Sequence, residues 1–406
     1  MKKVEKIPLE EVLSPLQQHP IVVLMVDDQQ IFAEAVKNML QDQKDITFHY
    51  CSSPDKAVAM ARDVKPTVIL QDLVMPKING MDLLERYNND VALAEVPVVV
   101  LSTHDEPEIK AQAFAKGAHD YLVKLPDKVE LLARIRHHSN SYIYFLERNE
   151  AHEKLEKSQK VILSELHEAA DYVTSVLPPK EKHESLEVDW KFIPSMELGG
   201  DIFGYHWLDD THFAIYLVDV CGHGVGTALL SISILNVLRA RSLTETNFYN
   251  PEDVLSALNV VFPMEKHKNM FFTIWYGVYN IKDRSMIYCS GGHPPALLMT
   301  GESRKSAELQ ELTTGGMIIG GMPDVTFSNK KIVVERFGEL FIFSDGAFEL
   351  KKTDGAMLRF EEFVTAVRGM TLEGTASVDN IVKFGYDTQE DTRFMDDFSL
   401  IKVTFS

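Results

Sequence analysis

The chain has 406 residues, 45% of them apolar and 25% charged, which is ordinary for globular protein and leaves room for two to three domains at about 150 residues each. A net charge of −19 is a poor match to a polyanion and argues against nucleic acid or anionic membrane as general partners. The N-terminal MKKVEKIPLEEV has lysines with no apolar core behind them, no apolar run approaches ~18 residues, and Cys51, Cys221 and Cys289 are isolated, so the chain reads as cytoplasmic, with no membrane association, disulfide or cysteine metal site.

Residues 1–19 read as an N-terminal extension. From there, short apolar runs alternate with helical stretches: IVVLMV (21–26), ITFHYC (46–51), TVIL (67–70), VPVVVL (96–101) and DYLV (120–123), with IFAEAVKNML and PDKAVAMARDV between them. That alternation predicts a doubly wound parallel sheet covered on both faces. The strand tips are polar in a consistent way: Asp27 and Asp28, Asp72, Ser102 and Lys124. Each alone is an ordinary cap or loop residue, but strand C-termini are where sites gather in open α/β sheets. Three carboxylates suit Mg²⁺, and a hydroxyl with an ammonium suits a phosphoryl group.

Over residues 20–140 these features resemble the receiver domain of bacterial two-component response regulators, a flavodoxin-like fold. The spacing agrees with the residue types: Asp72 lies 44 residues after Asp28, Ser102 lies 30 after Asp72, and Lys124 lies 52 after Asp72. The resemblance implies that Asp72 accepts a phosphoryl group from a sensor histidine kinase or phosphotransfer protein. It makes Asp27, Asp28, Asp72 and the carbonyl of Val74 the Mg²⁺ ligands, Ser102 the switch hydroxyl, Lys124 the phosphate partner and Tyr121 the rotating aromatic. Leu125 separates Lys124 from Pro126, where many receivers read Lys-Pro directly.

Residues 141–177 contain no glycine, and no proline interrupts them. Leu155, Gln159, Ile162, Leu166, Ala169, Val173 and Val176 are spaced alternately by four and three, the seam of a helical coiled coil and of a homodimer built on it. A single helix packed on its own domains would show a similar stripe. Arg148, His152 and Gln159 weaken the seam at its start, and Pro178-Pro179 end the helix.

Beyond residue 178 the segments THFAIYLVDV, MFFTIWYGVYN, MIYCSGGH, KIVVE, ELFIFSDG and FSLIKVTF read as strands. Their punctuation is acidic: Asp201 after Gly199-Gly200, Asp219 and Asp345 at strand ends, and Asp396-Asp397 before the last strand. Acidic residues beside glycine-rich turns bind hard divalent metals. His223 and His293 have no paired His/Cys spacing, which favours hydrogen-bonding or packing roles over zinc.

The ordered set LGGD, DVCGHGVG, SGGHPP, FSDGAFE and DDFSL resembles the PPM-type metal-dependent Ser/Thr phosphatases of the branch that regulates sporulation and stress sigma factors. It covers residues 178–406 and implies an α/β/β/α sandwich, completing a multidomain α/β chain. Asp219 would bridge two Mg²⁺ or Mn²⁺ ions, with the Val220 carbonyl as a further ligand; Asp345 and Asp396 would complete one metal's shell, and Asp201 would lie near the other. Such ions activate a water for in-line attack on phosphorus, and no Cys-x5-Arg or Walker A signature competes with that reading. Gly204 departs from the family, where many relatives carry another aspartate, and Cys221 stands where a small Ser or Ala is usual. Two functions are implied. One is a phosphatase switched by receiver phosphorylation and acting on a phosphorylated anti-sigma factor antagonist. The other is a non-catalytic adaptor that holds a sigma factor or its regulator; the retained Asp219, Asp345 and Asp396 favour the enzyme.

Overall fold

The apolar runs IVVLMV, TVIL and VPVVVL become central strands that are buried on both faces, while ITFHYC and DYLV form the partly exposed edges. The computed structural model describes residues 19–76, 78–195, 198–389 and 393–406, in two units that divide between Ile162 and Leu163. In the first, β1 (Ile21–Val26), β2 (Ile46–Cys51), β3 (Val68–Asp72), β4 (Val98–Ser102) and β5 (Asp120–Val123) form a parallel sheet in the order β2-β1-β3-β4-β5. Successive residues of β1 enter opposite cores: Val23 and Met25 join Val68, Leu70 and Leu101, whereas Leu24 and Val26 join Ile69, Val98 and Val100. Four helices link the strands: α1 (Gln30–Leu40), α2 (Ala57–Val64), α3 (Gly80–Asn88) and α4 (Pro107–Ala115). This is the doubly wound sheet that the strand–helix alternation predicts.

One helix, α5 (Lys128–Val176), covers both the last receiver helix and the expected linker. Its first turns bury Leu131 and Ile135 against the sheet, and the buried Ser139 hydroxyl bonds that of Thr67 at 3.0 Å. Of the seven seam residues, Leu166, Ala169 and Val173 pack within the second unit against Leu198, Ala228 and Ile232, and Val176 joins that unit's main core. Over residues 166–176 the stripe is therefore used by the chain's own domain, as in the single-helix alternative. Leu155 and Ile162 are each 56% exposed. The helix end is tied down: Arg239 donates to the Val176 carbonyl (2.7 Å), Trp190 to that of Pro178 (3.1 Å) and Tyr205 to that of Pro179 (2.7 Å).

The second unit is a two-sheet sandwich. Strands β6 (Glu181–His183), β7 (Leu186–Ile193), β12 (Ala296–Gly301), β13 (Glu308–Leu312), β15 (Phe337–Phe343) and β16 (Phe398–Phe405) form one sheet in the order β13-β12-β15-β16-β7-β6. The other runs β14-β11-β10-β9-β8, from β8 (Asp201–Trp207), β9 (His212–Val220), β10 (Phe272–Asn280), β11 (Ser285–Gly291) and β14 (Lys330–Val333). Helices α6 (Val225–Arg239) and α7 (Pro251–Val261) cover the five-stranded sheet, and α8 (Phe360–Glu373) and α9 (Val378–Thr388) the six-stranded one, giving α/β/β/α. Phe203 of β8 meets Trp190 of β7 at 5.1 Å between ring centroids, so the face that carries Phe203 looks toward the other sheet.

The buried stripe of α5 yields the first prediction. Val173 is 4% exposed, so Val173→Asp would desolvate an unpaired carboxylate. It should destabilise the protein by roughly 3–5 kcal/mol in denaturant melts, whereas Tyr172→Asp, at a position 61% exposed, should stay within about 0.5 kcal/mol. Equal costs at the two positions would contradict the packing described.

Candidate functional site

In the first unit Asp27, Asp28, Asp72 and Lys124 come together at the strand tips. The Lys124 ammonium lies 2.7 Å from Asp27 Oδ2 and 2.9 Å from Asp72 Oδ2, and all three side chains are nearly inaccessible. Ligand oxygens of Asp27, Asp28 and Asp72 lie within 4.8 Å of one another. Asp27 Oδ1 accepts from the Gln29 amide (2.8 Å) and Asp72 Oδ1 from the Val74 amide (3.3 Å), while buried Asp28 Oδ1 has no partner. Burial raises the Asp27 pKa, and its bond to Lys124 opposes the rise. Three carboxylates against one ammonium leave two negative charges and an unpartnered oxygen, a donor set that fits one Mg²⁺. The Lys124–Leu125 peptide is cis, and the ammonium still reaches both aspartates. Ser102 and Tyr121 are joined through a residue that the sequence did not flag: the His104 amide donates to Ser102 Oγ (3.2 Å), and Tyr121 Oη donates to the His104 carbonyl (2.8 Å).

In the second unit the acids gather at one end of the space between the sheets. Asp201 and Asp219 are directly opposed on β8 and β9. Side chains two apart on a strand share a face. Both aspartates therefore look the way of Phe203 and Leu217, toward the other sheet, whose β15 ends before Asp345 and whose β16 begins after Asp396-Asp397. The two sheet ends are clamped by Asp397. Its Oδ1 accepts from Ser195 N (2.9 Å) and Oγ (3.1 Å), and its Oδ2 from Gly200 N (2.6 Å) and Asp201 N (3.4 Å). Its carbonyl accepts from Ser344 Oγ (2.8 Å). Asp397 is thus occupied by the chain itself, which leaves its exposed neighbour Asp396 for a ligand. The glycine pair is required by contact: a Cβ at Gly199 would fall 2.1 Å from Asp397 Oδ2, and one at Gly200 2.4 Å from the Val220 carbonyl.

The electrostatics follow from crowding. Burial, then Asp219 and Asp397, raise the Asp201 pKa far above its ordinary value. Burial, then Asp345 and Asp396, push Asp219 up to about 7, and burial with Asp396 and Glu349 takes Asp345 to about 6. Asp396 is also raised, mainly by burial, against the hydrogen bond that the Asp397 amide donates to it. Among the described residues, Asp201, Asp219, Asp345 and Asp396 make no ion pair, and buried Asp201 Oδ2 has no hydrogen-bond partner. A partly buried carboxylate cluster without an ion-pair partner, holding an orphaned oxygen on Asp201, fits divalent cations. Among the described residues, no three of these side chains bring ligand atoms within 4.8 Å of one another, as the receiver trio does.

The departures from the family pattern have local causes. Gly204 opposes Tyr216, and a Cβ there would lie 2.5 Å from Tyr216 Oη. Three residues from Asp201 along a strand, position 204 faces away from the acid cluster. An aspartate there would meet the Tyr216 phenol. Cys221 pairs with Phe271, its amide donating to the Phe271 carbonyl (3.0 Å) and its sulfur accepting from the Phe271 amide (3.2 Å); the thiol is free. His293 is buried with its pKa pushed down to about 4, and its Nδ1 lies 3.0 Å from the Pro294 carbonyl.

A lysine-paired aspartate on a doubly wound sheet, and a second acid cluster at the mouth of an α/β/β/α sandwich, define a response regulator with a phosphatase-type output domain. Residues 23–136 match the response regulator receiver domain, and residues 209–406 match stage II sporulation protein E (SpoIIE). The chain joins a receiver domain to a SpoIIE-type PPM phosphatase domain. It is 29% identical to the phosphoserine phosphatase RsbU of Bacillus subtilis over 255 residues, 62% of this chain and 72% of RsbU. It is 27% identical to the regulator of RpoS of Escherichia coli over 289 residues, 69% of this chain and 83% of that protein. The SiaA-PP2C domain of Pseudomonas aeruginosa shares the fold, with a TM-score of 0.52 at 18% identity, over 61% of this chain and 99% of that one. No described helix is long and apolar enough to cross a membrane.

The raised carboxylates give a pH prediction. Asp219 and Asp345 have folded pKa values of about 7 and about 6, above the ordinary aspartate value near 4. The folded, metal-free protein therefore binds more protons than the unfolded chain between about pH 4 and 7, and its stability falls as pH rises through that window. Chelator-treated protein should melt at a lower temperature at pH 8 than at pH 5.5, and Asp219→Asn should flatten the difference. A melting temperature that rises over this range and is indifferent to Asp219→Asn would refute the assignment.

Proposed function

We propose that the chain is a metal-dependent protein serine/threonine phosphatase whose activity is set by phosphorylation of Asp72. The observation that carries this reading is the second acid cluster: four aspartates held in a partly buried site without a counter-charge are costly to keep unless cations are bound there. Asp219, Asp345, Asp396 and the Val220 carbonyl would hold two Mg²⁺ or Mn²⁺ ions, with Asp201 beside one of them. Ions so placed supply charge neutralisation for the phosphate oxygens and lower the pKa of water. The chain's own part is to fix the carboxylates. Asp397 binds the Gly200 and Asp201 amides to the start of β16, and the backbone passes close at Gly200 because that residue has no side chain.

In the receiver, Asp72 would take the phosphoryl group from a histidine kinase or phosphotransfer protein, with Mg²⁺ held by Asp27, Asp28, Asp72 and the Val74 carbonyl. Lys124 already lies within bonding distance of Asp72, and Ser102 and Tyr121 are linked through the His104 peptide. The substrate we propose is a phosphorylated anti-sigma factor antagonist, supported by the likeness to the phosphoserine phosphatase RsbU. The likeness to a regulator of RpoS supports a second reading, a non-catalytic adaptor for a sigma factor or its regulator. The intact acid cluster favours the enzyme, because an adaptor has no use for metal ligands.

Two outcomes are expected. Full-length protein should hydrolyse an aryl phosphate with Mn²⁺, Asp219→Asn should lose about 100-fold or more of that rate, and a phosphoryl mimic should change it in wild type but not in Asp72→Asn. Activity untouched by Asp219→Asn would sink the enzyme reading, and a wild type inert toward every phosphoprotein would favour the adaptor. We also propose that a second copy of the chain covers the exposed Leu155 and Ile162 of α5. Light scattering should then show a dimer that Leu155→Glu with Ile162→Glu dissociates; a monomeric wild type refutes it.

A further inference from the structure

The row of residues that holds Asp201 and Asp219 continues one strand further. Asp219 of β9 is directly opposed by Asp201 of β8 on one side and by Thr273 of β10 on the other. Cross-strand partners in register project to the same face with Cβ atoms about 4.5–5.5 Å apart. Trp275, two residues beyond Thr273, opposes Leu217 and donates from its indole nitrogen to the Leu312 carbonyl of the other sheet at 2.9 Å. Thr273 therefore faces the space between the sheets, beside the acid cluster.

Its hydroxyl is anomalous there. Thr273 Oγ1 is buried and makes no hydrogen bond with any described residue. A buried hydroxyl left unpartnered costs free energy, and a valine of the same shape would avoid that cost. Asp219, for its part, accepts no hydrogen bond from a described residue, although it is the most crowded of the carboxylates by charge: Asp345, Asp396, Asp397 and Glu349 all press on it. A ligating carboxylate without a donor behind it is free to rotate, and donors that fix such ligands commonly contribute 10–100-fold in metal affinity.

We propose that Thr273 is the positioning residue for Asp219: its hydroxyl donates to the Asp219 carboxylate once cations occupy the cluster, and so fixes the orientation in which that carboxylate can serve two ions. The hydroxyl's cost in the metal-free protein is then repaid on metal binding. This inference rests on the metal-site reading of the preceding section.

The experiment compares wild type, Thr273→Val and Thr273→Ser as full-length protein, each with Asp28→Asn added so that the receiver trio does not contribute, by calorimetric titration with Mn²⁺ and by melting in chelator. Thr273→Val should bind Mn²⁺ at least about tenfold more weakly, while its metal-free melting temperature is unchanged or higher, because an unsatisfied hydroxyl has been removed. Thr273→Ser should bind as wild type does. Wild-type affinity in Thr273→Val would overturn the proposal. So would a loss of affinity shared by Thr273→Ser, or one accompanied by a lower metal-free melting temperature, since either would mark a packing role. Absence of Mn²⁺ binding in the wild type would instead refute the metal-site reading and take this proposal with it.

Discussion

The phosphatase-type domain depends on one buried carboxylate that is not a ligand candidate. Asp397 is 4% exposed and accepts hydrogen bonds from Ser195, Gly200 and Asp201, on the far side of the sandwich in sequence. Bonds of this type to an ionised acceptor are roughly twice as strong as neutral ones. They join the start of β16 to the start of β8, elements of different sheets, and so decide where Asp201 and Asp219 stand relative to Asp345 and Asp396. Ser344 extends the clamp, donating to the Asp397 carbonyl and accepting from the Ser399 amide at 3.1 Å. Two adjacent aspartates thereby divide the work: Asp397 holds the frame and Asp396 stays open.

That division explains what could and could not be read from the sequence. The receiver strands were legible almost to the residue, since runs such as IVVLMV and VPVVVL are buried on both faces and leave only one state for a short apolar segment. The carboxylates at turns were legible because chemistry and spacing select them. Strand β7, LEVDWKFI, and strand β12, ALLMTG, were not picked out: the first mixes charges with aromatics at a partly exposed position, and the second follows directly on the SGGHPP turn. Thr273 was invisible for a different reason. Its proximity to Asp219 is a matter of register between strands 54 residues apart in sequence, which a single chain does not display. The same holds for Gly204, whose meaning depends on Tyr216 lying opposite it.

The stripe on α5 shows how a correct pattern can have two owners. A four–three spacing specifies an apolar seam but not its partner. In the structure, Leu166, Ala169 and Val173 use it on Leu198, Ala228 and Ile232, because a surface within the same chain is always at hand and costs no association entropy. Leu155 and Ile162 stay exposed.

If receiver phosphorylation sets the output, as proposed, the signal passes through that helix or through contacts the phosphoryl group creates. The first turns of α5 are held by Leu131, Ile135 and Ser139, and its last turns by Val173, Val176 and the Arg239 bond. An anchorage transmits a change only if it has two arrangements of nearly equal free energy. At the receiver end Asp120, at the start of β5, holds Arg134 and His138 of α5, each at 3.0 Å, while Tyr121 next to it is bonded to the His104 peptide. A phosphoryl group that drew Ser102 toward Asp72 would pull on that peptide, then on Tyr121, and so on the strand that grips the helix. A tenfold change in output requires only about 1.4 kcal/mol of difference between the two arrangements, within the range of one or two charge-assisted hydrogen bonds.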